Sequence, residues 1–333
     1  MSARAGLWLL IAAVSGSGQT STSAERAVPA AAAGDATPAT PAMVAALPVI
    51  REARYRMSAA VRPLLIFWIH AGNVGGARIL WRADASGRRG FELLIGSDPL
   101  RAPRRINRWG FEREQEDERG VALFGVMRKT DEESLDEARS ELRREGRAGF
   151  PFKAIRSRVE NGQVRSENTL WWAPRDYAYR DIGELLALVA TPPRSSPRVR
   201  EAKLPAGTRP GFLFALSELV DGALASALAP GTPRQLPTGA TRTFTFNASL
   251  YDLTLRSASW LDSASYGGRR YEHLLRLGFE HFNRERRSRE RFVLVCATEG
   301  PLAGVPVYVE YQPKWWFKAE GVLDASEAFP AVP

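Results

Sequence analysis

The chain has 333 residues, a net charge of +9 and one cysteine, Cys296. A single cysteine excludes an internal disulfide, so the fold must depend on a hydrophobic core, and the apolar run around Cys296 predicts a buried thiol. The sequence also lacks the H-E-x-x-H and C-x-x-C spacings, a G-x-S-x-G elbow and a phosphate-binding glycine fingerprint, which removes the enzyme classes that those motifs define.

The N-terminus has the pattern of a secretory signal peptide over residues 1–24. Arg4 precedes a short apolar run, Leu7 to Val14, and small polar residues follow it. The run is too short to span a membrane, so we expect export to the periplasm or the extracellular space, with an uncleaved signal anchor as the alternative. Residues 25–48 are rich in Ala, Pro and Thr and contain no aromatic residue, which predicts a disordered linker.

The first half of the globular region reads as strands. Residues 53–97 predict strands with a Gly-rich bend at 71–76 and a hairpin after it. Residues 99–119 are polar and predict an irregular segment, and 121–127 predicts a further strand.

Two helices and a second hairpin follow in the first half. A capping box at Thr130 and Glu133 opens a predicted surface helix that ends near Gly146. Asn161-Gly162 is the preferred pair for a type I′ turn and predicts a hairpin. Another helix begins at Asp181 and ends before Pro192.

The second half begins with a Pro-rich segment, 191–210, which reads as a linker or a long surface loop. The apolar stretch 211–229 predicts a helix that lies on the inner face of a curved sheet, because Glu218 and Asp221 and its short length argue against a membrane span. After a second Pro/Gly-rich stretch, 230–239, short connections predict antiparallel strands to the end of the chain.

These elements predict an α+β fold, predominantly antiparallel β-sheet, with about three packed helices. One large curved or half-barrel sheet is the favoured arrangement. The globular region, 49–330, is either one domain or two strand-rich halves, 49–190 and 240–330, joined by the Pro-rich linker and apolar helix of 191–239.

The three histidines do not predict a metal site. His273 and His281 lie eight residues apart on one predicted strand, about 27 Å from end to end, which is too far to share an ion. His70 lies where a strand meets the Gly-rich bend and is a candidate ligand contact in a cleft. We expect neither a metal nor a cofactor.

Two groups of side chains are candidates for ligand binding. Guanidinium groups that converge bind carboxylate or phosphate, and an adjacent aromatic ring adds stacking. The first group is therefore the loop that contains Arg101, Arg104, Arg105, Arg108 and Trp109. The alternative is that the acidic stretch at 112–118 neutralises these arginines. The second group consists of two tryptophan pairs, Trp171-Trp172 and Trp315-Trp316. One ring of each pair, Trp172 or Trp316, is the candidate ligand contact, unless a second layer of structure covers it.

The sequence favours an exported, non-catalytic, periplasmic or envelope-associated binding module for an apolar or anionic ligand. Lipid, polysaccharide or another anionic envelope component fits the basic charge, although GC-rich coding also explains the arginine excess. An exported protein is not expected to bind nucleic acid, and the mature chain is expected to have no transmembrane span. The alternatives are an assembly protein that pairs through strand edges and a hydrolase of envelope polymer with two carboxylates about 5–9.5 Å apart. The sequence does not indicate the oligomeric state.

Overall fold

The computed structural model describes residues 45–61, 69–128, 149–191, 197–228, 238–314 and 317–324. These ranges contain fourteen strands and two α-helices. The strands are β1 Val49–Val61, β2 Ile69–Ala83, β3 Arg89–Ser97, β4 Trp109–Asp117, β5 Gly120–Arg128, β6 Phe150–Glu160, β7 Gln163–Ala173, β8 Arg198–Lys203, β9 Thr241–Phe246, β10 Ser249–Tyr266, β11 Arg269–Asn283, β12 Ser288–Ala297, β13 Pro306–Lys314 and β14 Phe317–Leu323. The helices are α1 Ile182–Val189 and α2 Phe212–Leu228.

All fourteen strands belong to one antiparallel sheet in which neighbours in sequence are neighbours in space. The order is β8-β7-β6-β5-β4-β3-β2-β1-β14-β13-β12-β11-β10-β9. The only non-sequential pairing joins β1 to β14, with Tyr55 opposite Leu323 and Val61 opposite Phe317. The first and last strands therefore meet in the middle of the sheet, and the strands before and after residues 191–239 form a single layer.

The sheet rolls around α2, which lies on its inner face. Strands from both halves of the sheet contribute to the apolar cluster that encloses this helix, including Phe91, Leu93, Ile155, Phe244, Leu253, Phe279, Leu294 and Tyr311. The helix buries Phe212, Leu213 and Phe214 in its first turn, and Leu219 and Val220 further along. A flat sheet could not bring β3, β6 and β11 against the same helix, so the roll follows from this shared core.

The two edge strands approach each other through the chain that precedes α2. The N–H of Arg209 donates to the carbonyl of Thr243 (2.7 Å), and the N–H of Thr245 donates to the carbonyl of Arg209 (3.1 Å). The side-chain amide of Asn168 on β7 donates to Oδ1 of Asn247 beside β9 (2.6 Å). These bonds link the β7–β8 end of the sheet to β9.

Helix α1 covers the outer face of β4–β7. Its buried residues Ile182, Leu185 and Val189 pack on a second apolar cluster that includes Trp109, Phe111, Phe124, Phe152 and Trp171. A sheet with apolar residues on both faces needs a covering layer on each side, and α1 and α2 supply these layers.

Several predictions from the sequence are confirmed. The sheet is antiparallel, and Asn161 and Gly162 both adopt positive φ in the turn between β6 and β7. Both helices expected near 182 and 212 are present, and Cys296 is buried. The count of about three helices is wrong for the described residues, which contain two. The helix expected after Thr130 falls within 129–148, outside the described ranges.

Three local predictions are wrong. The expected bend at 71–76 lies inside β2, where Gly75 permits a close approach because a Cβ there would collide with the carbonyl of Gly96 on β3. The expected irregular segment 99–119 contains a central strand, β4. The linker 191–210 contains the edge strand β8, whose charged sequence is typical of an edge that avoids further pairing.

Candidate functional site

A buried carboxylate on β4 holds the first turn of α2. Oε1 of Glu114 accepts the N–H of Leu213 and Oε2 accepts the N–H of Phe214, each at 2.9 Å. The first N–H groups of a helix have no partner within the helix, and they carry its positive dipole end, so a carboxylate is a matching partner. Gly211 precedes the helix because a Cβ at that position would collide with the Glu114 carboxylate.

Glu112 lies two residues before Glu114 and faces the same interior. Both of its carboxyl oxygens are buried with no hydrogen-bond partner in the described part of the chain. Burial, and next the charge of Glu114, raises the pKa of Glu112 well above its usual range. Burial also raises the pKa of Glu114 to about 7, although the helix amides act in the opposite direction. Near neutral pH the pair therefore holds at least one proton, which remains on Glu112.

This carboxyl pair does not match the geometry of a glycoside hydrolase. Such enzymes separate their two carboxyl groups by about 5–9.5 Å and admit a sugar ring between them. Glu112 and Glu114 are both buried, and Glu114 is hydrogen-bonded to α2. The observed role of Glu114 is to hold the helix.

His281 on β11 lies in an aromatic environment close to the same turn of α2. Its ring stacks on Tyr251 with centroids 5.2 Å apart, and Phe244 and Phe212 lie at 5.7 and 6.4 Å. Its Nε2 atom is buried with no hydrogen-bond partner in the described part of the chain. Burial lowers the pKa of His281 to about 4, so the ring is neutral at physiological pH.

An arginine cluster lies on the outer face of β10–β12. Glu280, only 4% exposed, accepts a hydrogen bond from Arg256 at 2.6 Å and pairs with Arg291 at 3.3 Å and Arg289 at 3.7 Å. The three arginine side chains remain 53%, 78% and 63% exposed in that order. Three guanidinium groups and one carboxylate give this group a net charge of two positive units. We call Arg256, Arg289, Arg291 and Glu280 the arginine cluster.

A second cluster of three arginines around one glutamate lies on the outer face and is more deeply buried. Glu92 on β3 pairs with Arg82 at 3.0 Å, Arg113 at 2.9 Å and Arg78 at 3.1 Å. Arg82 and Arg113 are largely buried, so most of their donors face protein. This cluster anchors β2, β3 and β4 to one another, whereas the donors of the arginine cluster around Glu280 face solvent.

The predicted arginine loop does not form a convergent anion site in the described contacts. Exposed Arg101 pairs with Asp98 at 3.8 Å, and exposed Arg105 has positive φ. Arg108 is partly buried, and its N–H donates to Ser97 Oγ at 2.8 Å. Arg104 lies in a short turn, and its side chain is outside the described part. The acidic stretch that follows has other partners: Glu112 and Glu114 are buried, and Asp117 and Glu118 pair with Arg158 and Arg88.

The remaining predicted contacts are scattered. Trp109 is buried beneath α1, and its Nε1 donates to the carbonyl of Tyr177 at 2.8 Å. Trp172 is half-buried on β7, opposite Pro151, while His70 is exposed on β2. Trp316 lies outside the described residues. The described members lie on three different strands, and their convergence with the arginine loop on one ligand site stays a prediction.

The described residues give no other obvious chemical centre. Within the described ranges, no group of three or more His, Cys, Asp or Glu side chains is placed to hold a metal ion. No helix in the described part of the chain has the length and apolar character needed to cross a membrane. Burial raises the pKa of Cys296 to about 12, so its thiol is unreactive at neutral pH.

The fold and these sites define a rolled antiparallel sheet with a central helix and a basic outer face. No protein-family model matches the chain, and no functionally curated protein matches it. The crystal structure of a β-barrel-like protein of the domain of unknown function DUF1849, from Brucella abortus, aligns with 84% of this chain and 98% of that one. The identity is 9% and the TM-score 0.39, a likeness too weak to carry an inference about ligand or activity.

Proposed function

We propose that the protein is an exported, non-catalytic binding module of the cell envelope whose ligand carries anionic groups. The observation that carries this proposal is the arginine cluster, in which a buried carboxylate holds three exposed guanidinium groups side by side. Each guanidinium has five N–H donors, so the donors that do not face Glu280 are free to bind phosphate or carboxylate oxygens.

The inner face supports an apolar ligand less well, because α2 already occupies it. Full burial of a Phe or Leu side chain contributes about 1.5–3 kcal/mol, and α2 buries Phe212, Phe214 and Leu219 among others. A ligand that entered the roll would first have to replace these contacts and the two hydrogen bonds to Glu114. We therefore assign α2 to the core and place the ligand on the outer face.

The two alternative functions have less support from the described contacts. Assembly through strand edges would need an open apolar edge, whereas β8 has six residues of mostly charged, exposed sequence. Hydrolysis would need accessible carboxylates at a suitable separation, whereas Glu112 and Glu114 are buried and the half-buried Glu310 and Glu320 are both paired with Lys318. A basic outer surface on a protein of net charge +9 favours attraction of an acidic partner instead.

The proposal predicts that Arg289→Gln/Arg291→Gln weakens binding of a polyphosphate probe about tenfold at low salt. Each exposed ion pair contributes about 0.2–1 kcal/mol, and the ligand loses two of them. Isothermal titration calorimetry at increasing salt measures the effect, and the wild-type affinity should fall as salt screens the charges. Arg198→Gln/Arg200→Gln on β8 removes the same charge elsewhere and should change the affinity less than twofold. Equal losses in both variants would reduce the site to non-specific charge attraction and contradict the proposal.

Export is tested separately by cell fractionation. The proposal expects the protein outside the cytoplasm, with a mass that corresponds to cleavage near residue 18 or 24 or, for a signal anchor, in the membrane fraction. Charge reversal at Arg4 together with Leu10→Arg should retain the full-length chain in the cytoplasm. A wild-type chain recovered intact from the cytoplasm would contradict the envelope assignment. It would not bear on the anion site, which the binding experiment tests.

A further inference from the structure

One end of the sheet carries most of its long connections. In an antiparallel sheet of sequential strands, alternate connections lie at the same end. The pairing of Val61 with Phe317 places the β1–β2 and β13–β14 connections at the same end. Because connections alternate between the two ends, β3–β4 and β5–β6 also lie at this end. We call this end, as represented by the described residues Ile69, 98–108, Phe150 and Arg180, the loop end.

Large apolar side chains are exposed at the loop end. Leu100 is 92% exposed, and Ile69 and Phe150 are also exposed, at 49% and 42%. These residues belong to the start of β2, the β3–β4 loop and the start of β6. Since β2 and β6 are four strand spacings apart, the three side chains span about 19 Å along the sheet. Three exposed apolar side chains therefore lie along one end of the sheet, and Leu100 is the most exposed of them.

The backbone holds Leu100 in its exposed position. Oδ1 of Asp98 accepts the N–H of Leu100 at 3.0 Å, and the carbonyl of Asp98 accepts the N–H of Ala102 at 2.7 Å. The N–H of Asp98 in turn donates to the carbonyl of Val74 on β2 at 2.7 Å. The loop is thus fastened to the sheet with its leucine directed to solvent, so little ordering cost would remain when that leucine is covered.

Basic side chains surround this apolar surface. Arg101, Arg105 and Arg180 are all exposed at the loop end, and Asp98 is the acidic partner of the first and third. The opposite end also exposes Val49 and Ile50, but its turns 84–89 and 117–119 carry three acidic and three basic residues. An anionic surface would therefore attract the loop end more strongly than those turns, which have no net charge.

We propose that the loop end docks on an anionic lipid bilayer, with Leu100 entering the headgroup region and the neighbouring arginines binding lipid phosphates. Apolar side chains provide insertion and arginines provide attraction to anionic headgroups, and the two together are the usual requirement for peripheral binding. The docking surface uses residues other than the arginine cluster, so this inference goes beyond the proposed function. Docking would also place the outer face of the sheet beside the membrane.

The docking is tested first with a fluorophore at the contact. Leu100→Cys in the full mature chain is labelled with an environment-sensitive dye, and buried Cys296 does not react. Vesicles of phosphatidylglycerol and phosphatidylcholine should shift the dye emission to the blue, whereas pure phosphatidylcholine vesicles should not. Ser86→Cys, in the turn at the opposite end, should show no shift. Equal shifts at positions 100 and 86, or none at 100, would overturn the inference.

A second variant separates docking from the anion site. Leu100→Ser should lower co-sedimentation with the anionic vesicles about tenfold and leave polyphosphate binding unchanged, because that side chain lies outside the arginine cluster. Arg289→Gln/Arg291→Gln should give the reverse pattern. Vesicle binding that survives Leu100→Ser and is lost with the arginine variant would overturn the docking surface while supporting the anion site.

Discussion

Glu114→Ala is expected to lower the free energy of unfolding by about 3–5 kcal/mol. The substitution leaves the N–H groups of Leu213 and Phe214 buried without an acceptor, and each such group costs about 1–3 kcal/mol. It also removes the charge that faces the positive end of α2 and leaves a void beside Gly211. Equilibrium urea unfolding followed by circular dichroism measures the change.

Matched variants identify the cause. Glu114→Gln retains one acceptor oxygen and should cost about 1–2 kcal/mol, less than the alanine variant. Glu218→Ala removes a glutamate of α2 itself, one that pairs with Arg209 and Arg242 near the surface, and should cost less than about 1 kcal/mol. If Glu114→Ala and Glu218→Ala had equal effects, the first turn of α2 would not depend on a buried carboxylate.

The local elements were largely predictable from the sequence because their signals are short-range. The turn pair Asn161-Gly162 and the apolar run that forms α2 each carry the needed information within a few residues. The strand β4 lacked such a signal. Its sequence E-R-E-Q-E-D resembles a solvated segment, and Glu112 and Glu114 are buried only because α2, about 100 residues later, folds over them.

The arginine cluster shows a different limit of sequence reasoning. Closeness in sequence predicted an anion site at Arg101–Arg108, whereas the exposed guanidinium groups that converge on Glu280 come from β10 and β12. A four-residue turn at 284–287 places Glu280 opposite Arg291. The position of this turn in the sequence would therefore have predicted that these two residues are neighbours. The contribution of Arg256 depends on the bulge between Leu255 and Ser257, which no sequence pattern marks.

The carboxyl pair also predicts an unusual response to pH. The pKa of Glu112 is raised above its unfolded value near 4.5, so at higher pH the unfolded chain has released a proton that the folded chain still binds. Stability therefore falls as pH rises above 4.5, and it continues to fall until the folded pKa is passed. Glu114 acts in the same direction up to about pH 7, while His281, with its lowered pKa, acts in the opposite direction between about pH 4 and 6.5.

Glu112→Gln isolates this dependence because its amide resembles the protonated acid and does not titrate. Near pH 5 the variant and the wild type should have similar stability, and from there the variant should gain about 1.4 kcal/mol over the wild type for each pH unit until the folded pKa of Glu112 is passed. Urea unfolding at pH 5, 7 and 9 measures the difference. The pKa of Glu320 is lowered through its contacts with Lys318 and Tyr308, so Glu320→Gln should show no widening gap above pH 7. Parallel stability curves for Glu112→Gln and the wild type would mean that Glu112 is ionised in the folded protein, and its burial beside Glu114 would then require a cation or a donor outside the described residues.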